Sequence, residues 1–407
     1  MKIAVPRETA PGETRVALTP QIAGQLVGDG HEVLVQAGAG EASSNLDEAY
    51  REAGATIVPD VTQLYGQADV VLRVGRPSDD EVEMLKPGTV LIGTLGTLAK
   101  PELAEKLAKR GVTAISMDAI PRITRAQSMD TLSSQATVGG YKAVLLAAER
   151  LPKFFPLLTT AAGTIRPARG IIMGAGVAGL MAIGTARRLG AVVEATDVRP
   201  VVKEQVESLG GTFIEVEMTE EEKAQAETSG GYAREMSDDY KRRQAELIAE
   251  RVKDADFIIT TALIPGRPAP KLVTEEMVKS MKPGSVIIDM AAEMGGNVEG
   301  TEPGKEVVKH GVRIVGYTNL PATMPGSATQ MYAKNIQTLI KHLAKDAQLD
   351  LDFSDEITRG ATITHDGKVV NEATAKALGI EPAPVAAQAD APVATEPAAT
   401  PAPKKDS

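Results

Sequence analysis

The stretch GIIMGAGVAGLMAIGTARRLGAVVEATDVRP, residues 170–200, decides the fold. An apolar run, GIIM, leads into Gly174, Gly176 and Gly179, and a helix-forming segment continues to Arg188. Between a strand and a helix, G-x-G-x-x-G has a physical reading. The first glycine allows a tight turn, the second lets a pyrophosphate reach backbone N–H groups at the helix N-terminus, and the third permits close packing of helix on strand. The motif alone is weak, but the next strand, AVVEATD, ends at Asp197. A carboxylate there can accept from both adenine-ribose hydroxyls, each charge-assisted bond being worth about 1.5–3 kcal/mol. An NADP 2′-phosphate would meet that carboxylate, so NAD(H) is preferred, with Arg199 nearby the one group that would favour the phosphate. Gly174, Ala175, Gly176, Val177 and Gly179 in the turn, and Asp197, Val198 and Arg199 after the next strand, are the candidate cofactor contacts.

Downstream of this unit, GTFIEVE, ADFIITTA, GSVIIDM and VRIVGYTN are apolar on both faces, as strands of a covered parallel sheet are. Upstream, KIAVP, HEVLVQAG, ADVVLRVG, TVLIGTL and VTAISMD alternate with helical stretches such as PQIAGQLVGDG and PELAEKLAKRG, a second parallel α/β pattern. TLSSQATVGGYKAVLLAAERL, from residue 131, reads as a long helix between the two units, and TTAAGTIRPARG as a linker. After Pro321, SATQMYAKNIQTLIKHLAKD is amphipathic at helical spacing and is expected to pack back on the first unit. The expected fold is therefore α/β, with two Rossmann-like domains built on parallel doubly wound sheets and joined by long helices. Residues 1–130 plus 321–380 form the first domain, 131–320 the NAD-binding domain, and the Ala/Pro-rich residues 381–407 a disordered tail. The polar interval 216–250, around TSGGYAREM, reads as a lid. A second glycine cluster, QAGAGEAS at 36–43, has no acidic residue closing a matching strand and reads as a structural turn.

Composition narrows the function. The chain of 407 residues is 43% hydrophobic and 24% charged, with 3% aromatics and no tryptophan, so its cores are aliphatic. A net charge of −10 with no basic stripe argues against nucleic acid as a partner. Absence of cysteine removes disulfides, thiolate metal sites and Cys nucleophiles together, and no metal is expected. No signal peptide is expected from the N-terminal sequence. Apolar runs are broken by charges or proline short of the roughly 18 residues a membrane span needs.

AVPRETAPGETRVALTP at 4–20, the Gly174 motif and PRITRAQSMDTLSSQ at 121–135 together closely resemble the alanine dehydrogenase and nicotinamide nucleotide transhydrogenase superfamily. The third segment points to transhydrogenase, specifically the NAD(H)-binding peripheral subunit of the proton-translocating form whose alpha chain is split in two. The resemblance implies that Arg122, Gln127, Asp130 and Ser133 lie on a loop reaching the nicotinamide side of NAD. It implies that Gly231 and Tyr232 belong to a mobile loop closing over the cofactor, and that Ala262 and Leu263 line its other side. It further implies a homodimer on the cytoplasmic face of the inner membrane, docked through an NADP(H)-binding beta subunit and a membrane-spanning subunit. NAD(H) would be bound here and NADP(H) on the partner.

Departures from the amino-acid enzymes carry as much information. Alanine dehydrogenases are expected to place a catalytic Lys in a K-V-K-E-P run and a catalytic His in a Y-L-H-L-A run; the corresponding stretches here are RVGRP (73–77) and LGTLA (95–99), which put Gly75 and Thr97 at those positions. Arg15, which holds the substrate carboxylate in those enzymes, is kept and is read as structural. Oxidation of an amine or alcohol by NAD releases a proton and needs a base. His31, His310, His342 and His365 all read as structural or surface residues. Hydride exchange between two nicotinamides needs no base, only approach, orientation and exclusion of water. An alanine-type amino-acid dehydrogenase with an unseen base and an NAD-sensing binding protein are the alternatives.

Overall fold

The structure, a computed structural model, describes residues 1–216, 238–263 and 267–385. Between residues 1 and 116 the chain lays down β1 (Lys2–Val5), β2 (Glu32–Gln36), β3 (Thr56–Val58), β4 (Val70–Leu72), β5 (Val90–Gly93) and β6 (Thr113–Ser116). All are parallel, in the spatial order 3-2-1-4-5-6. The intervening helices start on side-chain caps written into the sequence: Thr19 accepts from Ile22 N–H, and Ser78 forms a reciprocal capping box with Glu81. The crossing helix, Thr131–Arg150, then carries the chain to the second sheet.

The expected linker contains a hairpin, β7 (Leu158–Thr160) with β8 (Gly163–Ile165). The second sheet follows: β9 (Arg169–Met173), β10 (Val192–Thr196), β11 (Thr212–Phe213), β12 (Phe257–Thr260), β13 (Val286–Asp289), β14 (Glu306–Lys309) and β15 (Val312–Val315). Its order is 11-10-9-12-13-15-14. The return helix, Pro325–Leu343, leads through a small hairpin, β16 (Ala344–Lys345) and β17 (Gln348–Leu349), back to the first sheet, which gains β18 (Thr362–His365) and β19 (Lys368–Val369).

The chain is thus α/β with two Rossmann-like sheets, but both sheets end on antiparallel edges. β14 runs antiparallel to β15, and β18 runs antiparallel to both β6 and β19. The reason is connection length. His310 and Gly311, and Asp366 and Gly367, all take positive φ in two-residue turns, which can join only antiparallel neighbours, whereas a parallel pair needs a crossover. GTFIEVE supplies a strand of only Thr212–Phe213. From residue 238 the polar interval read as a lid belongs to a helix, Asp238–Asp254, whose Val252 is buried beneath β12 neighbours with Leu247 and Ile248 packed beside it, and residues 217–237 of the interval lie outside the described residues. Of the stretch expected to be disordered from residue 381, residues 381–385 are described and Ala383 N–H donates to the Val369 carbonyl; the remainder lies outside the described residues.

Each sheet is covered on both faces by aliphatic clusters. Tyr332, Ile336, Leu339, Ile340 and Leu343 of the return helix are buried in the first core, as its periodicity requires, each aliphatic contributing about 1.5–3 kcal/mol. Ala143, Val144 and Ala147 of the crossing helix are buried in the second. Among the described residues no helix is long and apolar enough to cross a membrane.

Candidate functional site

In the second sheet the strand order reverses between β9 and β12, and the crevice outside their C-terminal ends is where open α/β sheets bind ligands. Gly174 follows β9 and Thr261 follows β12. Gly174 has φ +104°, and a side chain there would meet the Thr261 hydroxyl, which donates to the Gly174 carbonyl at 3.1 Å. A Cβ on Gly179 would run into the Gly174 carbonyl, so this glycine lets the helix close on the strand. At Gly176 a Cβ would face open space. Gly176 is the N-cap of the helix Val177–Arg188, which has no side-chain cap and no acidic residue in its first turn. Free N–H groups behind an open cradle fit the diphosphate of a dinucleotide.

Asp197 lies beside this turn. Its carboxylate accepts from Ala175 N–H at 2.7 Å and holds Arg199 in a forked pair, with Nε at 2.9 Å and the second nitrogen at 3.0 Å. Burial opposes ionisation, but the bonds from Arg199 and from the Ala175 and Arg199 N–H groups prevail and hold the carboxyl below the ordinary aspartate range. Ribose hydroxyls would compete with Arg199 for the same oxygens. Val198 and Val201 are among the most exposed apolar side chains of the protein, and with Leu263 across the crevice they offer apolar walls.

The β12 side is fixed by residues the sequence did not single out. Asn297, fully buried, accepts from Ala262 N–H at 3.1 Å and donates from its amide to the Ala262 carbonyl at 2.9 Å and to Pro270 at 2.8 Å. Asp289, at the end of β13, accepts from the N–H groups of Ala291, Asn297 and Val298 and from the Thr260 and Thr301 hydroxyls. Both polar groups of Ala262 are therefore consumed by a buried network, which sets the wall on which Leu263 stands. No periodicity marks an Asn in EMGGNVEG, and only the contact reveals it.

The polar loop of residues 121–130 leads directly into the crossing helix, which packs against the motif helix. Gly140 on that helix lies directly against the Ala178 backbone in the first turn of the motif helix, so close that a Cβ would overlap it. Just past its far end, Lys153 pairs with Asp256, which precedes β12. The helix thus runs from the entry side of β12 past the glycine turn. Its first residue, Thr131, lies roughly 14 Å beyond the Gly140 contact at about 1.5 Å per residue. Asp130 caps this helix, accepting from Ser133 N–H at 2.9 Å and from the Ser133 hydroxyl at 2.6 Å. Arg122 and Gln127 are exposed, and their side chains make no bond to the described residues. Gly231 and Tyr232 lie outside the described residues.

Elsewhere, the places of the amino-acid dehydrogenase base are closed. Gly75 has no side chain, and the Thr97 hydroxyl is bonded to that of Thr374 at 2.9 Å in a buried contact. Arg15 spends its guanidinium on Glu13, Gln135 and Asn319. Gly38 N–H donates to Asp47, and a Cβ on Gly40 would strike the Asn45 carbonyl, which gives the 36–43 cluster a structural use. The corresponding crevice of the first sheet, between β1 and β4, is filled by the protein's own ions. Arg73, fully buried, pairs with Glu8 at 3.1 Å and with Glu81, and donates to Tyr65 at 3.0 Å. His310 pairs with Glu275 and His365 with Thr113, while His31 is buried. His342 bonds Asp355, which also holds Arg125 of the polar loop, so it stands one residue removed from that loop. Among the described residues no group of three or more metal-ligating side chains assembles.

Fold and site together define a two-sheet dinucleotide-binding protein of the dehydrogenase type. Known proteins agree with this. Residues 4–139 match the model "Alanine dehydrogenase/PNT, N-terminal domain" and residues 143–372 match "Alanine dehydrogenase/PNT, C-terminal domain". The first part of the NAD(P) transhydrogenase subunit alpha of Rhodospirillum rubrum is 52% identical over 380 residues, covering 92% of this chain and 98% of that one. The alanine dehydrogenase of Bacillus subtilis is 34% identical over 395 residues, covering 94% and 96%. A solved transhydrogenase from Sinorhizobium meliloti superposes with a TM-score of 0.83 at 45% identity, over 91% of this chain and 100% of that one. The chain belongs to the alanine dehydrogenase/PNT family.

Proposed function

We propose that this chain is the NAD(H)-binding subunit of a proton-translocating NAD(P) transhydrogenase. The observation that carries the reading is the pairing of two features. The positions of an acid–base pair hold Gly75 and a Thr97 hydroxyl already engaged, while Arg122 and Gln127 are exposed on the loop that leads into the helix packed on the motif helix. The reaction is NADH plus NADP+ giving NAD+ plus NADPH, in which a hydride moves and no proton is released at the reacting carbons. Gly174, Ala175, Gly176, Val177 and Gly179 hold the diphosphate, and Asp197, with Val198 and Arg199, holds the adenosine half. Ala262 and Leu263 form one wall of the nicotinamide pocket. Arg122, Gln127, Asp130 and Ser133 orient the ring, and Gly231 and Tyr232 close over it.

NADP(H) sits on a separate beta subunit, and a membrane-spanning subunit couples hydride transfer to proton movement. The assembly holds this chain at the cytoplasmic face of the inner membrane. Residues 1–130 with 321–380 and residues 131–320 act as its two domains. A homodimer is supported by apolar side chains left exposed around the β7–β8 hairpin, among them Phe154, Leu157 and Ile165.

Mixing the purified chain with an NADP(H)-binding subunit should give hydride exchange between NADH and NADP+, and the chain alone should not reduce NAD+ with L-alanine. Alanine oxidation by the chain alone, without exchange in the mixture, would replace this reading with the amino-acid dehydrogenase one.

A further inference from the structure

We propose that Asn335 and Asp355, both on the segment that returns after the second sheet, are positioning residues for hydride transfer. The inference rests on the function proposed above. Residues Thr124–Met129 form a 3-10 helix, in which side chains three apart eclipse one another and share a face. Ala126 and Met129 occupy one face and are buried in the first core. Arg125 and Ser128 occupy the second, and both of these residues are tethered. Thr124 and Gln127 occupy the third and are exposed.

The tethers come from the returning segment. Asn335 donates to the Ser128 carbonyl at 2.7 Å and accepts from the Ser134 hydroxyl at 2.7 Å, so one buried amide grips both the loop and the first turn of the crossing helix. Its neighbours Tyr332, Ile336 and Leu339 are fully buried, which fixes the helix that carries it. Asp355 pairs with Arg125 at 2.6 Å. The same carboxylate caps the helix Glu356–Ala361, accepting from Ile357 and Thr358 N–H, and bonds His342 of the return helix at 3.1 Å. With one face sunk in the core, Arg125 paired on a second and the Ser128 backbone carbonyl held by Asn335, the loop cannot roll about its axis. The free face carrying Gln127 is thereby aimed. Neither Asn335 nor Asp355 touches the cofactor; they act through the loop.

Two sets of substitutions separate positioning from stability. Asn335→Asp keeps the acceptor for Ser134 but removes the donor to Ser128, and Arg125→Gln removes the exposed half of a charge pair whose Asp355 keeps its bonds to Ile357, Thr358 and His342, so folding should stay intact. In the complex reconstituted with an NADP(H)-binding subunit, the single-turnover rate constant for hydride transfer should fall roughly ten- to hundredfold for Asn335→Asp and about three- to tenfold for Arg125→Gln, because displacements near 1 Å carry penalties of that order. NADH affinity of the isolated chain, measured by equilibrium titration, should change by less than about threefold, as expected when an interaction acts on the transition state alone. Arg125→Lys, which can still reach Asp355, should recover most of the rate. A merely destabilised protein would lose amplitude, through a smaller folded fraction, and not the rate constant.

Unchanged rate constants in both folded variants, an affinity loss in step with the rate, or no recovery with Arg125→Lys would each overturn the proposal. If Asn335→Asp does not fold, the Arg125 pair of variants decides. If the unaltered chain transfers no hydride, the proposed function itself has failed before any substitution is made, and the positioning proposal falls with it.

Discussion

Asp197 shows how a single carboxylate can be prepared before its ligand arrives. Its side chain is nearly buried, yet Ala175 N–H and the Arg199 fork keep it charged, so a ribose placed as proposed would meet ready acceptors at no further cost of ionisation. Asp197→Asn removes the charge from an otherwise intact crevice and should weaken NADH binding by about tenfold to a hundredfold, read by fluorescence titration of the isolated chain. Because its pKa is lowered from an ordinary value of 3.8, NADH affinity should show no Asp197-linked change between about pH 9 and pH 5. Arg73 does the opposite work, closing the first crevice. Arg73→Met would strand Glu8 and Glu81 in the interior, at a cost of about 3–5 kcal/mol in denaturant-melting stability. NADH affinity of the folded fraction should hold, since the crevice proposed for it is on the other sheet.

Among the elements, the meeting of the crossing and motif helices matters most to the site. Gly140 allows backbone contact with Ala178, and Gly139 beside it faces Met290 and Pro321, so the crossing helix is small on the side that meets the cofactor unit. Gly140→Ala must push the two helices apart. Overpacking of this kind costs about 1–3 kcal/mol, to be read as a lowered melting temperature. A displaced motif helix should also weaken NADH binding, while the same substitution at solvent-facing Gly66, where a Cβ meets nothing, should leave binding intact. The Asp289 and Asn297 network is the counterpart on the other wall. It spends buried hydrogen bonds on Ala262, a residue with no polar side chain, because backbone position is what a cofactor wall needs.

For the molecule as a whole, buried and partly buried carboxylates set the acid limit. Burial raises the pKa of Glu13, Glu81, Asp197 and Asp355, but Arg15, Arg73, Arg199 and Arg125 respectively, together with N–H donors, outweigh it, and all four are lowered. A carboxylate with a lowered folded pKa adds stability above its unfolded value and loses it as pH falls through the lowered one. Glu8 runs the other way: burial raises it despite Arg73, so its contribution is present below its ordinary value of 4.5 and is lost as pH rises. With the lowered carboxylates outnumbering Glu8, stability should fall progressively below about pH 4, with Arg73→Met flattening the Glu81 share of that slope. A flat melting temperature between about pH 5 and pH 3 would contradict the assignment of these carboxylates.

Local signals carried much of this protein's design. The strand, glycine turn, helix and acidic strand end of residues 170–197 are contiguous, and the backbone rules they obey act over a few residues, so the Rossmann-like unit was legible directly, with Asp197 bonded to its glycine turn. Apolar runs placed most strands, and helical spacing sent Tyr332, Ile336 and Leu339 back into the first core. The antiparallel edges were half visible, since HDGK and the turn at His310 are short, but which sheet β18 would join depends on where the return helix leaves the chain. Tertiary structure alone decided what surrounds the polar loop. Asn335 lies 207 residues from Ser128, and Asn297 lies 35 from Ala262, separations at which sequence spacing encodes no contact. It also decided which crevice stays open: the first sheet has the same strand reversal as the second, and only the folding together of Glu8, Arg73 and Glu81 closes it.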